Sequence, residues 1–169
     1  MDDQQLWNTG VFRLNNMLAG LPAPAVLTLT RILKRYRMAK EAYSSVVAEV
    51  DASVICRECG GQCCMNGKYR INVLDALARI AAEIPTCVDF SRKPVCPYGG
   101  DSGCMMEPGF RPLDCVLFIC DALERKLSRQ ALLILAAEEQ EQRKCISEAS
   151  ILTGEQVGTP LLLWAGRAQ

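Results

Sequence analysis

The feature that most constrains this chain is its metal-ligand chemistry: ten cysteines and no histidine. Eight of the cysteines fall into two groups. The first is the run C-R-E-C-G-G-Q-C-C, which holds Cys56, Cys59, Cys63 and Cys64. The second is Cys96, Cys104, Cys115 and Cys120. Two residues between Cys56 and Cys59 make a chelating turn, in which both sulfurs reach one ion at about 2.3 Å. Gly60 and Gly61 let the backbone fold back, so that Cys63 or Cys64 returns to the same place.

The absence of histidine removes whole classes of site. A Cys2His2 finger, a His-based zinc hydrolase, a Ser-His-Asp triad and a Cys-His nucleophile pair all require an imidazole. Sulfur and carboxylate are what remains as ligands.

Disulfides are the competing use of so many thiols. Ten cysteines in 169 residues is about 6%, below the roughly 8–10% of short disulfide scaffolds. Residues 1–5 (M-D-D-Q-Q) carry neither the basic start nor the apolar run of a secretory signal. No apolar stretch approaches the roughly 20 residues that cross a bilayer. The expectation is a cytoplasmic protein with reduced thiols, where clustered cysteines hold metal.

Adjacent side chains point apart, so Cys63 and Cys64 are expected to serve two ions or one multinuclear centre. Cys115 and Cys120 lie about 140° apart on an ideal helix and can face one ion only if that helix breaks. Eight thiolates divide into two four-sulfur sets, and tetrahedral sulfur coordination means zinc or an iron–sulfur centre. Cys115 falls near an expected helix start, where a thiolate is stabilised. Cys87 and Cys145 have no partner at ligand spacing and read as buried apolar residues.

The expected fold class is mainly α: a small helical domain with irregular cysteine-rich metal-binding loops between its helices. Residues 1–24 read as an N-terminal arm, ending at Leu21-Pro22-Ala23-Pro24. Residues 25–169 read as one helical domain with the chelating core at 55–120. Leu29, Ile32, Leu33, Tyr36, Ala39, Tyr43, Val46, Val47, Val50 and Val54 recur at helical steps, predicting a helix over 25–53. The basic strip Arg31, Lys34, Arg35, Arg37 and Lys40 reads as the solvated face of that helix.

Residues 55–69 read as a loop. Asn72 caps a second helix over about 73–83. Residues 86–109, rich in proline and glycine, are irregular and need something else to order them. Arg111-Pro112-Leu113-Asp114 looks like a helix start, with the helix running to about 126. Ser128 caps a last helix that ends at Gly154. Its apolar stripe is Ala131, Leu132, Leu135, Ile146, Ala149 and Leu152, and its polar middle, 138–144, is expected in solvent. Residues 161–164 are a candidate strand.

These cysteines also carry a resemblance. The C-x-x-C…C-C opening, Cys96 followed by Gly103-Cys104, and Arg111-Pro112-x-x-Cys115-x-x-Phe118-x-Cys120 resemble the YkgJ-type, or CxxCxxCC, family of zinc- or iron-chelating proteins. The Asn72-Val73-Leu74-Asp75 helix start is similar to the segment between that family's cysteine groups. The resemblance covers residues 56–120. Two departures stand out: three residues separate Cys59 from Cys63, and Val116 follows Cys115 where the pattern has a basic residue. The resemblance implies metal chelation by the matched cysteines and leaves the reaction, if any, open.

Four uses follow from such a centre, one of them metal storage or delivery, which expects weak, exchangeable metal. The leading expectation is structural zinc in a binding or regulatory module. The alternative is an iron–sulfur protein in electron transfer, sensing or catalysis. An enzyme with an open metal site would draw acid–base groups from Glu58, Asp101, Glu107 and Asp114, each otherwise a loop or capping carboxylate. Nineteen basic and nineteen acidic residues leave no net charge, so neither a nucleic-acid nor a membrane partner is expected. Oligomeric state stays open.

Overall fold

A computed structural model describes residues 1–58, 67, 69–86, 88, 90, 96–100 and 103–167. The fold is mainly helical. Helix α1 (Asp3–Gly20) opens on a capping box, in which the Gln5 amide donates to Asp2 Oδ1 at 2.8 Å and the Asp2 amide donates to Gln5 Oε1 at 2.9 Å. Pro22 then starts α2 (Ala23–Ala48). The chain breaks at Asp51, whose left-handed φ of 57° no helix interior accepts. Helix α3 (Ala52–Glu58) follows. The helix predicted over 25–53 is thus two helices, and the loop predicted over 55–69 begins as helix, with Cys56 on α3.

Helix α4 (Val73–Ala81) starts where the sequence places it, at Asn72, with a second capping box to Asp75. Its first two amides are satisfied from outside: Val73 N–H donates to the Thr159 carbonyl and Leu74 N–H to that of Val157. Glu83, at φ 55°, turns the chain away after α4. A two-residue hairpin, β1 (Gly99–Gly100) against β2 (Gly103–Cys104), is antiparallel with Gly99 opposite Cys104. A 3-10 turn (Pro108–Phe110) leads into α5 (Leu113–Leu117) and α6 (Asp121–Glu124).

Helix α7 (Arg129–Thr153) has the predicted ends. The Ser128 side chain accepts from the Ala131 amide, and Gly154 closes it at φ 71°, a conformation glycine adopts without strain. Residues 161–164 belong to α8 (Leu161–Gly166), not to a strand. Pro160 precedes this helix and the Trp164 amide closes its first turn on the Pro160 carbonyl.

Helices α2 and α7 pack antiparallel, with Ile32 beside Leu152 at one end and Tyr43 beside Leu135 at the other. Helix α1 lies against α8: Gly10 leaves room for Leu161, and a Cβ there would stand 2.9 Å from Leu161 Cδ1. Arg13 stacks 3.9 Å from the Trp164 ring and donates to the Trp164 carbonyl. The residues expected as an N-terminal arm are therefore a helix that puts Trp7 and Leu14 into the main core, beside Leu29, Tyr36, Leu74, Leu77 and Leu161. A smaller cluster holds Tyr43, Val116 and Leu135. Among the described residues, no helix is long and apolar enough to cross a membrane.

Candidate metal centre

The basic strip of α2 is not all solvated. Lys40 is completely buried, and its Nζ lies 2.8 Å from Asp75 Oδ1, also completely buried. Tyr36 Oη donates to the same oxygen at 2.9 Å. The other oxygen, Asp75 Oδ2, accepts from the Asn72 and Leu113 amides, each at 3.1 Å. One carboxylate thus joins α2, the start of α4 and the start of α5. Four donors offset the cost of burying its charge. Burial lowers the Lys40 pKa against the pull of Asp75, and the Cys115 sulfur lies near enough to act on it. The sequence held a signal for this: Lys40 falls four residues after Tyr36 and three before Tyr43, on the buried stripe.

The hub anchors the turn that presents Cys115. The Leu113 amide is held by Asp75, and the Cys115 amide closes the first turn on the Pro112 carbonyl at 2.9 Å. The helix predicted to run to residue 126 breaks after Leu117. Phe118 and Cys120 are extended, and Cys120 sits at the N-cap of α6. That break is the condition for Cys115 and Cys120 to turn toward one side.

Cys96, Cys104, Cys115, Cys120 and Cys145 are free thiols. Cys96 is buried, Cys115 and Cys120 are half-buried and Cys104 is exposed. Gly67 presses against Cys96 Sγ, with no room for a Cβ between them. The Gly99 amide donates to the Cys96 carbonyl at 2.8 Å, and the Tyr98–Gly99 backbone favours the Cys96 thiolate. The Arg70 charge acts on the Cys115 sulfur and favours its thiolate. Cys96, Cys104 and Cys115 stand near enough for their charges to interact. Helix α3, which carries Cys56, packs against both β2, which carries Cys104, and α6, which Cys120 caps.

Burial pushes the Cys96 thiol up, against the Tyr98–Gly99 backbone. It pushes Cys115 up to about 12, with Arg70 pulling the other way. The helix start does not make Cys115 acidic, as its sequence position suggests; burial in the middle of a five-residue helix outweighs a short dipole. Such sulfurs become thiolates when a cation stands beside them. Soft sulfur donors suit a thiophilic ion, zinc or iron, better than magnesium or calcium. Among the described residues, no group of three or more cysteine or carboxylate side chains is close enough to hold an ion. Cys59, Cys63 and Cys64 lie outside the described residues, as do Cys87 and Asp101.

The other expected residues are placed plainly. Glu58, Glu107 and Asp114 are exposed; Glu107 precedes the 3-10 turn and Asp114 is in the first turn of α5. Arg111 donates from Nε to the Met106 carbonyl at 3.1 Å. Among the described residues, Arg70 is a cation whose charge reaches both the Cys96 and the Cys115 sulfur, and the sequence reading passed it over. Cys145 is completely buried on α7 with its Sγ 3.7 Å from Glu141, and burial pushes it up to about 11. It is a core residue, as its isolation in the sequence implied. Comparison with models of known families, with curated proteins and with solved structures gave no match.

Proposed function

We propose that this protein chelates metal through clustered cysteine thiolates, with zinc as the ion and a structural role for it in a binding or regulatory module. The ligands are Cys56, Cys59, Cys63, Cys64, Cys96, Cys104, Cys115 and Cys120, the cysteines that resemble the CxxCxxCC pattern. One observation carries the reading. The Cys96 and Cys115 sulfurs, from segments nineteen positions apart, sit within electrostatic reach of each other, and the Tyr98–Gly99 backbone beside one and the Arg70 charge beside the other favour their thiolates. Cysteines used only as apolar filler need no such neighbours. Bound metal then adds order to loops that the apolar core holds only in part. The reading puts the protein in a reducing compartment, the cytoplasm, where free thiols persist.

A second reading, an iron–sulfur centre, draws on the adjacent pair Cys63-Cys64, since a cluster offers several irons to neighbouring sulfurs. The test is elemental analysis of protein purified without oxygen from cells supplied with both metals. About two zinc ions per chain in a colourless preparation support structural zinc. A brown preparation with iron and sulfide supports the cluster. Protein that carries neither metal, and takes up neither after reduction, ends both.

A further inference from the structure

Helix α2 treats the cations on its two faces differently. Toward α7, Arg35 is paired with both Glu141 and Glu148. Toward α4, Lys34 and Arg37 line a groove of about 360 Å3. Lys34 is exposed and, among the described residues, makes no hydrogen bond or ion pair. The Arg37 guanidinium stacks on Phe110, with Cζ 4.0 Å from the ring centroid, which holds its plane. Arg37 donates no hydrogen bond among the described residues, and its Nε is buried without an acceptor. Its one ion pair is loose: Nη2 stands 3.8 Å from Glu41 Oε1, and both side chains are over a third exposed.

Most of the remaining groove is apolar. Leu33 and Met38 line it from α2, and Ala78, Ala81 and Ala82 from the end of α4. Larger side chains at those alanines would fill it. Thr30 and Glu41 mark its ends along α2, roughly 16 Å apart at the helical rise. The Thr30 hydroxyl already donates to the Val26 carbonyl at 2.9 Å. The volume is more than twice the ~150 Å3 that admits benzene, and lies at the small end of the ~300–1,000 Å3 range of ligand sites.

Charge selects the occupant. Lys34 and Arg37 against Glu41 leave one net positive charge, which suits a monoanion rather than a dianion. The apolar floor beside that charge suits an apolar body attached to the anion. We propose that this groove binds a small carboxylate with an apolar chain. The carboxylate takes donors from Lys34 Nζ and the Arg37 Nη groups, a planar match that guanidinium and carboxylate share. The chain lies on Leu33, Met38 and the α4 alanines. Met38, 56% exposed, is an adaptable wall for such a chain. No cysteine lines the groove, so the site stands separately from the metal reading.

The test titrates the full-length protein with octanoate and, separately, with octanol, read by amide chemical shifts. Octanoate is expected to bind saturably, to shift amides of residues 30–41 and 78–82, and to bind about tenfold tighter than octanol. The double variant Lys34→Gln, Arg37→Gln is expected to lose about tenfold in octanoate affinity, the product of two exposed charge contacts, and to leave octanol unchanged. Ala81→Leu, at an exposed helix end, is expected to block both probes. Circular dichroism checks that each variant keeps its helices. If the double variant unfolds, Lys34→Gln alone decides, with an expected loss of about threefold. The proposal is overturned by octanoate that fails to saturate or shifts other residues instead, by octanol that binds equally well, or by variants that bind octanoate as the wild type does.

Discussion

The two ends of the molecule are held by different physics. Around α1, α2, α4, α7 and α8, order comes from capped helices and side chains removed from water: Trp7, Leu14, Tyr36, Leu74, Leu77 and Leu161 are almost wholly buried. Around α3, the β1–β2 hairpin, α5 and α6, the elements are two to seven residues long. None of these reaches the length at which an isolated helix sustains itself. Val54, Met105 and Phe118 are exposed there, while Leu113, Val116 and Leu123 are buried. The first end is ordered by its own buried side chains. The second has fewer of them and carries Cys96, Cys104, Cys115 and Cys120, where the proposed metal would add to what burial supplies.

Asp75 is the joint between the two ends, and removing it is the strongest way to break the contrast. Asp75→Ala leaves the Lys40 ammonium buried without a partner and strips the Leu113 amide of its acceptor. Breaking a buried pair this way costs about 3–5 kcal/mol. Urea denaturation should show that loss, together with weakened metal binding, because α5 loses its anchor. Lys40→Met should cost less, since Tyr36 and two amides still satisfy the carboxylate. A cost below about 1 kcal/mol for Asp75→Ala, within the range of an exposed pair, would mean that the hub joins nothing.

The helical end was largely legible because its signals are local. Asn72, Ser128 and Gly154 announce their caps within a few residues, and the stripe of Leu29, Leu33 and Tyr36 announces its buried face. What escaped was set by distance along the chain. Periodicity puts Lys40 on the stripe as well as in a basic run, and only Asp75, thirty-five residues away, decides between core and solvent. Gln142 is a similar case: it lies seven residues after Leu135 and three before Cys145, and is fully buried in a stretch whose composition reads as solvated. The break at Asp51 gives no local warning, since nothing in Val50-Asp51-Ala52 forbids helix. Helix α8 reads as a strand because Leu161-Leu162-Leu163-Trp164 is too short for its period to show. At the cysteine end the ligand types were legible and their supports were not. The Arg70 charge acts on Cys115, and its guanidinium stands by the Phe118 ring, across more than forty residues.

Removing metal sharpens the contrast with a smaller, local effect. If the sulfur-held end depends on bound ion, a chelator should remove amide-exchange protection from residues 96–124 while α2, α7 and α8 keep theirs. Hydrogen exchange read by mass spectrometry resolves the two. Equal loss in both ends would make them one cooperative unit, and no loss in either would leave the metal no structural task.

The smallest effect is expected where the helical end looks most electrostatic. Arg35 on α2 reaches Glu141 and Glu148 on α7, with Nη2 2.6 Å from Glu141 Oε1 and Nη1 2.7 Å from Glu148 Oε2. The three side chains are 34–39% exposed, so water and salt screen them, and such pairs contribute about 0.2–1 kcal/mol. Glu148→Gln should fall in that range, because Glu141 still accepts from Arg35. The hydrogen bond from Arg35 lowers the Glu148 pKa below its ordinary 4.5. A depressed carboxylate stabilises the fold above its unfolded pKa and loses that contribution as pH falls through the folded one. Wild type and Glu148→Gln should therefore differ most above pH 4.5 and converge in acid. Their gap should also shrink with added salt. A gap well above 1 kcal/mol that ignores salt would place the α2–α7 contact on its charges, and the helical end would no longer be one held by apolar burial.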